Sequence, residues 1–287
     1  MSYARILALT SLAMIAFAGN SLLCRLALKH TNIDAASFTS IRLVSGALML
    51  WLIARLGRGA HEGGGNWLSA LALFVYAAGF SFAYVSLPAA SGALLLFGAV
   101  QATMISHGIW KGERLLKAQL AGLVLAFGGL VGLLLPGLSA PPLVGSILML
   151  GAGVAWGVYS LRGKGAGDPT RVTAGNFLRA VPISIVLSAL MFSGTSVDNA
   201  GFWYAVLSGA LASGIGYAIW YTALPALKAT SAATVQLSVP VIAAVGGVVL
   251  LGEPISLRLV LASAAILGGI ALVILERRQA AAPNKSS

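Results

Sequence analysis

Long apolar stretches separated by short polar connections fill most of this chain. Ten such stretches, each of about 18 to 23 residues, are long enough to cross a hydrocarbon core of about 30 Å as α-helices. They are continuous runs of Leu, Ala and Gly without the alternation of barrel strands, so the pattern predicts helices. The predicted spans are residues 6–28, 36–56, 67–86, 90–110, 118–135, 142–161, 172–192, 202–224, 230–251 and 257–275.

The first stretch has a second interpretation, as a cleavable signal peptide, because Arg5 and an apolar run from Ile6 precede Ala16-Phe17-Ala18, which resembles a cleavage site. The apolar run, however, continues to Leu28, and its counterpart at 142–161 lies inside the chain. We therefore expect a first membrane span.

The second half of the chain repeats the first. Gly112-Glu113 followed by Gly128-Gly129 returns 140 positions later as Gly252-Glu253 followed by Gly268-Gly269. Other matched blocks, at offsets of 137 and 139, keep the same order in both halves, which is unexpected for chance matches in an apolar sequence.

Each copy holds five predicted spans, and an odd number makes the second copy enter the membrane from the opposite side. The sequence thus predicts an all-α integral membrane protein of ten transmembrane helices, built as two inverted five-helix repeats around a central cavity. The first repeat is 1–138 and the second is 139–278. Residues 279–287 are polar, and we expect a disordered cytoplasmic tail.

Composition and charge support this assignment. Apolar residues make up 59% of the chain, charged residues only 9%, and mean hydropathy is +0.93, whereas about a quarter of a soluble protein is charged. The net charge of +11 suggests nucleic acid, but its placement indicates membrane orientation. With a cytoplasmic N-terminus, thirteen Lys and Arg fall on the inner side and three on the outer. We expect an inner (plasma) membrane protein with both termini cytoplasmic and no nucleic acid partner.

Three amides lie well inside apolar spans: Asn20, Gln101 and Gln236. An amide left without a partner in an apolar medium costs several kcal/mol, so each should face protein or a cavity. Hydrogen bonding between helices and contact with a substrate explain them equally well at this stage.

Aromatic residues recur at helical spacing in both halves. Tyr76, Phe80 and Tyr84 form one stripe on the third span, and the eighth span carries the counterpart stripe. Packing is the alternative explanation, but several of these side chains lie deep in a span and carry polar tips. The predicted cavity residues are Phe17, Asn20, Tyr76, Phe80, Tyr84, Gln101, Trp156, Tyr159, Tyr217, Trp220 and Gln236.

All seven acidic residues fall in loops or at span edges. Without a carboxylate in mid-membrane, a cationic substrate lacks its countercharge and a carboxylate proton relay lacks its acid. His107 is the possible proton-linked group, although a simple helix-end contact also explains it. Arg42 and Arg179 match in the repeat near opposite span ends, where they act as snorkelling anchors or as gate residues.

These features resemble the drug/metabolite transporter superfamily, in its ten-helix branch of two EamA-type repeats. The resemblance rests on the polar first span around Asn20, Arg42 in the second span, the hinge from Tyr84 to Pro88, and the Gly-Glu step before a glycine-rich helix in each half. It implies export of amino acids or other small metabolites, and some members export aromatic amino acids.

The sequence favours a secondary transporter that works by alternating access and exports aromatic or hydrophobic neutral amino acids. Small aliphatic amino acids or other metabolites are the alternative cargo, and a passive pore is the alternative mechanism. Motifs of enzymes and metal sites are lacking, so no catalysis, cofactor or metal is expected. Cys24 stands alone, which excludes an intrachain disulfide. Ten spans suffice for a pathway within one chain, which favours a monomer with a small-molecule substrate and the lipid bilayer as partners.

Overall fold

The computed structural model describes residues 2–56, 64–112, 116–135, 137, 140–163, 167–227 and 235–280, with side chains described as far as 273. These residues contain helices and no strand. The long helices are α1 (Tyr3–His30), α2 (Ala35–Leu56), α3 (Trp67–Tyr84), α4 (Ala89–Trp110), α5 (Lys117–Leu134), α6 (Leu143–Arg162), α7 (Pro169–Leu190), α8 (Asn199–Ala226), α9 (Ser238–Leu251) and α10 (Leu257–Ala280).

Eight of these helices, α1 to α8, are long and apolar enough to cross a membrane. The shorter apolar helix α9 begins at Ser238, and the start of the ninth predicted span, at 230–234, lies outside the described residues. In α10 the apolar part described with side chains runs from Leu257 to Val273. Of the predicted tail, positions 279 and 280 belong to α10 and residues 281–287 lie outside the described part.

Contacts between helices mostly join the two predicted repeats. Helix α2 packs on α7 and α8, α3 packs on α6 and α7, and α4 packs on α6 and α9. Helix α1 contacts α8 and α9, while α5 and α10 pair along their lengths. Helix ends therefore gather at two ends of the bundle. The Pro88 end holds the α3–α4 connection, and the Pro169 end holds the α6–α7 connection.

Small residues set how closely these helices approach. A Cβ at Gly153 would lie 2.5 Å from the Leu96 carbonyl oxygen, so α4 and α6 are in near-backbone contact. In the repeated Gly128-Gly129 pair, one glycine contacts a neighbouring helix and the other does not. A Cβ at Gly129 would meet that of Ala265 on α10 at 2.7 Å, whereas nothing lies within 4 Å of one at Gly128.

Candidate substrate cavity

A cavity of about 380 Å³ lies between the two halves of the bundle. Its deep walls come from α1, α3, α4, α6 and α8. Its exposed lining residues, Gly163, Pro169 and Pro225, all belong to the Pro169 end, so the cavity meets the surface there. The volume falls within the range of about 300 to 1,000 Å³ that is usual for small-molecule sites.

Nine of the eleven predicted cavity residues line this space. They are Phe17, Asn20, Tyr76, Phe80, Gln101, Trp156, Tyr217, Trp220 and Gln236. The lining also includes Ser21, Ser160, Ser213 and Met104, which the sequence analysis did not single out for this role. No acidic or basic side chain is among the described lining residues.

Trp156 is the centre of an aromatic cluster. Its ring stacks on Tyr217 with centroids 5.2 Å apart, and it lies 4.8 Å from the Tyr76 ring. Phe17 meets the edge of Tyr217 at 5.7 Å. The cluster thus joins side chains of α1 and α3 to side chains of α6 and α8. A flat apolar group inserted here would contact rings from both halves of the chain.

Two predicted cavity residues, Tyr84 and Tyr159, lie behind the wall. Tyr159 stacks on Trp156 with centroids 5.3 Å apart, and its hydroxyl accepts a hydrogen bond of 3.4 Å from the Asn176 amide. Tyr84 is fully buried against Phe80, with ring centroids 4.7 Å apart. Both side chains support residues that line the cavity, and in this conformation neither lines it.

The three amides have different surroundings. Asn20 links helices, because its side-chain oxygen accepts a 2.6 Å hydrogen bond from Ser208 and its amide nitrogen donates to the Tyr76 hydroxyl at 3.4 Å. Gln101 is buried, and among the described residues its side chain has no hydrogen-bond partner. Gln236 is half-buried beside the mouth. Asn20 therefore serves as a structural link, while the Gln101 amide faces the cavity.

A buried ion pair lies at the Pro88 end, opposite the cavity mouth. The Arg25 side chain donates to the Glu253 carboxylate at 2.9 Å and to the backbone carbonyls of Tyr84 and Val85 at 2.9 and 3.1 Å. The second carboxylate oxygen accepts the Ala89 backbone N–H at 2.7 Å. We call Arg25, Tyr84, Ala89 and Glu253 the Pro88-end seal. Glu253 lies at a span edge, in the segment between α9 and α10, as expected, but its side chain turns inward and is buried.

The repeated Gly-Glu step explains how Glu253 turns inward. Gly252 ends α9 with φ +62°, a left-handed conformation that glycine adopts without a steric penalty. The Glu253 N–H then donates back to the Gly247 carbonyl at 3.0 Å. Gly112, its partner in the repeat, also has a positive φ, of 92°. Glu113 lies outside the described residues.

Arg42 is buried at the centre of the bundle, so the expectation that it snorkels to a surface as an anchor is wrong. Its side chain is 1% exposed and donates to the Tyr76 hydroxyl at 3.0 Å. Its guanidinium carbon lies 4.8 Å from the Phe80 ring centroid and 5.2 Å from that of Tyr76. The Nη1 nitrogen is shielded from solvent and has no hydrogen-bond partner among the described residues. Neighbouring helices surround this position on α2, which prevents the side chain from reaching the bundle end.

Arg179 and His107 take helix-end positions. Arg179 is half-buried and donates to the carbonyls of Gly64 and Gly175, which ties α7 to the segment before α3. His107 is half-buried near the end of α4, and its ring lies 6.1 Å from that of Trp110. Neither residue lines the cavity.

A π-helical segment, Ser208–Ile215, interrupts α8 where it passes the cavity. Ala212 and Ser213 of this segment line the cavity. A Cβ at Gly209 would lie 2.2 Å from the Arg42 carbonyl oxygen, so the segment rests on the backbone of α2. Widened turns of this kind are frequent at functional sites. The sequence gives only a weak signal for it, a run of small residues.

Comparison with known proteins agrees with a transport function. The EamA-like transporter family matches residues 143–275. An uncharacterized protein of Pseudomonas aeruginosa is 59% identical over 95% of this chain and 96% of its own length. An uncharacterized transporter of Archaeoglobus fulgidus is 30% identical over 83% of this chain and 86% of its own length.

Two further similarities are narrower. The threonine/homoserine exporter RhtA of Salmonella typhimurium is 37% identical over 131 residues, which is 44% of this chain and 43% of that protein. A protein crystal structure superposes with a TM-score of 0.69 over 98% of this chain and 100% of that chain, at 20% sequence identity. The second similarity concerns the fold alone.

A bundle of membrane-spanning helices around a small-molecule cavity, with transporters among its relatives, defines a membrane transport protein. This chain belongs to the EamA-like transporter family, within the drug/metabolite transporter superfamily.

Proposed function

We propose that this protein is an alternating-access exporter of neutral amino acids, with hydrophobic and aromatic side chains preferred. The observation that carries the proposal is one uncharged, aromatic-walled cavity that is open at the Pro169 end and closed at the Pro88 end. Rocking of the two halves would break the Pro88-end seal and close the cavity mouth at the Pro169 end.

Helix packing supports two inverted repeats, 1–138 and 139–278, as the units that rock. Exchanging each helix with its counterpart five places along maps the α3–α6 contact onto α8–α1 and the α4–α6 contact onto α9–α1. The α2–α7, α4–α9 and α5–α10 contacts map onto themselves. Such a pattern is what a twofold axis in the membrane plane would produce. With the cavity between two such repeats, one chain would suffice for a pathway.

The membrane orientation in this proposal follows from charge. An inner-membrane protein with cytoplasmic termini would turn the Pro169 end toward the cytoplasm, since the described residues among the expected inner cations belong to helix ends there: Arg5, Arg55, Lys111, Lys117, Arg162 and Arg171. The cavity would then be loaded from inside the cell, as export requires.

Small polar or aliphatic amino acids are the second candidate cargo. They are favoured by the partial similarity to a threonine/homoserine exporter and by the hydroxyls of Ser21, Ser160 and Ser213 in the cavity wall. Aromatic walls accept such substrates, but with less contact area.

Uptake of radiolabelled phenylalanine, tryptophan, threonine and alanine into proteoliposomes tests the proposal. Saturable uptake with mutual competition supports a carrier, and the order of affinities separates the two cargo classes. Flux of all four that does not saturate indicates a pore and ends the alternating-access proposal. The assay repeated with an imposed proton gradient, for wild type and His107→Gln, tests whether that residue has a coupling role.

Trp156→Ala tests the site within this assay. Removing the ring that stacks on Tyr217 should raise the KM for phenylalanine about tenfold or more, by analogy with aromatic contacts at binding hot spots. Trp203→Ala is the matched control, because Trp203 is 55% exposed on the outer surface of α8. Equal kinetics for the two variants would show that the cavity is not the substrate site.

A further inference from the structure

Arg42 carries a positive charge that no described carboxylate neutralises. The ion pairs among the described residues are Arg25 with Glu253 and Arg171 with Asp168. A guanidinium stays protonated inside proteins, so burial does not remove its charge. The Tyr76 and Phe80 rings attract the guanidinium through cation–π contacts, but this attraction is smaller than the cost of burying an unpaired ion. The fold therefore retains an uncompensated cost at this position.

Only two aromatic side chains separate this charge from the cavity. Tyr76 and Phe80 line the cavity on one side and contact the guanidinium on the other. The Tyr76 hydroxyl accepts hydrogen bonds from both Arg42 and Asn20, so its own proton is free to donate. A rotation of the Tyr76 side chain would therefore present two donors, the hydroxyl and Arg42 Nη1, to one ligand.

Two side-chain atoms that are completely shielded from solvent lack a partner among the described residues. They are Arg42 Nη1 on α2 and Ser213 Oγ on the π-helical segment that packs against α2. Ser213 also lines the cavity. Buried polar groups in proteins are nearly always satisfied, so a pair of exceptions beside the cavity indicates atoms that a ligand completes.

We infer that Arg42 recognises the carboxylate of the transported molecule and that Tyr76 is the residue through which the carboxylate reaches it. A single positive charge matches a monoanion, and the planar guanidinium suits a carboxylate. The described cavity wall has no carboxylate that could pair with an ammonium group. Neutral oxygens, such as that of Gln101, would accept its hydrogen bonds instead. The carboxylate is thus required for binding and the amino group is dispensable.

This inference rests on the proposed function, since it names the group by which that cargo is held. It predicts the ligand class as small monocarboxylates with an apolar side chain, with or without an amino group. Amino acid amides and simple amines fall outside the class.

Binding to the purified full-length protein in detergent tests the inference by isothermal titration calorimetry. The probes are phenylalanine and leucine, each as the amino acid, the carboxamide and the deaminated carboxylic acid. We expect both acids of each series to bind about tenfold or more tightly than the carboxamide. Carboxamides that bind as tightly as the acids, or no binding by any probe, would overturn the inference.

Substitutions test whether Arg42 is the cause of the preference for acids over carboxamides. Arg42→Gln should bring acid and carboxamide to within about twofold of each other, and Arg42→Lys should keep part of the preference. The control Arg55→Gln removes an exposed arginine from the same helix and should leave the preference unchanged. An unchanged preference in Arg42→Gln would overturn the inference. If Arg42→Gln does not fold, the wild-type series and Arg42→Lys test the inference instead. An Arg42→Lys variant that no longer prefers acids over carboxamides would then contradict the inference.

Transport is measured separately with the same probes in proteoliposomes. Acid-selective binding without saturable transport would leave the Arg42 inference standing and overturn the proposed function. Saturable transport of acids and carboxamides alike would support the proposed function and overturn the Arg42 inference.

Discussion

Arg25 and Glu253 bury opposite charges at the one end of the bundle where the cavity is closed. Each also bonds the backbone of the α3–α4 connection, so the pair joins α1, the α3–α4 connection and the segment between α9 and α10. Two hydrogen-bonded ions in a low-dielectric interior depend strongly on each other.

Removing both partners should cost less than the sum of the two single removals. Glu253→Gln leaves the Arg25 charge buried, and we expect a loss of about 3 to 5 kcal/mol in the free energy of unfolding. The double variant Arg25→Met with Glu253→Met should lose clearly less than the sum of the two single changes. Denaturant unfolding in detergent checks this cycle, and additive losses would show that the two side chains are not coupled.

The sequence predicted most of the cavity residues but not this pair. Aromatic and amide side chains inside apolar runs are local signals, visible in any one helix. Arg25 and Glu253 lie 228 positions apart, and each looks like a loop or end charge by itself. Their contact depends on a tertiary arrangement of helices, which an isolated sequence does not contain. The burial of Arg42 was missed for the same reason.

Two adjacent glycines on α5 differ in whether they face a neighbouring helix. Gly129 faces α10 at contact distance and Gly128 faces outward. The four-residue spacing of Gly128 and Gly132 predicts that these two glycines form the packing face, and that prediction is wrong, because a Cβ at either would have nothing among the described residues within 4 Å. Only the rotation of the helix against its neighbour decides which glycine packs.

The two glycines should therefore respond differently to one substitution. Gly129→Leu forces a side chain into the α5–α10 contact and should destabilise the protein by about 1 to 3 kcal/mol. Gly128→Leu has open space and should be neutral or slightly stabilising, because leucine favours helix over glycine. Thermal unfolding of both variants gives the comparison, and equal melting temperatures would refute the assigned helix rotation.

Asp34 holds the start of α2 to the loop before α8. Its carboxylate accepts backbone N–H bonds of 2.9 Å from Ala36, Ser37 and Ser196. Partial burial raises the pKa of Asp34, but hydrogen bonds from Ser37, Ser196 and Ala36 outweigh it, so the pKa lies below its ordinary value of 3.8.

A lowered pKa means that the ionised carboxylate stabilises the fold. That contribution is fully present above the ordinary pKa of 3.8 and is lost as pH falls through the lower folded value. At neutral pH, Asp34→Ala should lose about 1 kcal/mol, as for other helix caps, and its deficit against wild type should shrink below about pH 4. Asp34→Asn keeps one acceptor and should lose less. Melting temperatures between pH 7 and pH 3 test this, and a deficit that does not change with pH would contradict it.

At the scale of the whole molecule, the cavity opens at one end of the bundle. Ser160 lines it near the Pro169 end, and Ser86 is exposed at the Pro88 end. In a Cys24→Ser background, Ser160→Cys and Ser86→Cys should react with a membrane-impermeant maleimide from opposite faces of the membrane. We expect labelling of Ser160→Cys from the cytoplasmic face and its slowing by a transported amino acid. Right-side-out and inside-out vesicles distinguish the faces, and labelling of both cysteines from one face would refute this arrangement.

The order and bounds of the helices were largely predictable from sequence, because apolar length and short polar connections act locally. Eight spans agree with the predicted ranges within about three residues. The π-helical segment in α8 was not predicted, since nothing in its composition separates it from an ordinary small-residue helix. It lies where α8 passes both the backbone of α2 at Gly209 and the cavity at Ser213.

The unpaired charge of Arg42 has an electrical consequence. Moving one elementary charge through a membrane potential of 100 mV involves about 2.3 kcal/mol, so even a partial displacement of α2 along the membrane normal does measurable work. When the two halves rock, Arg42 then acts as a small gating charge. The balance between open and closed conformations should follow membrane voltage, even when the cargo itself carries no net charge.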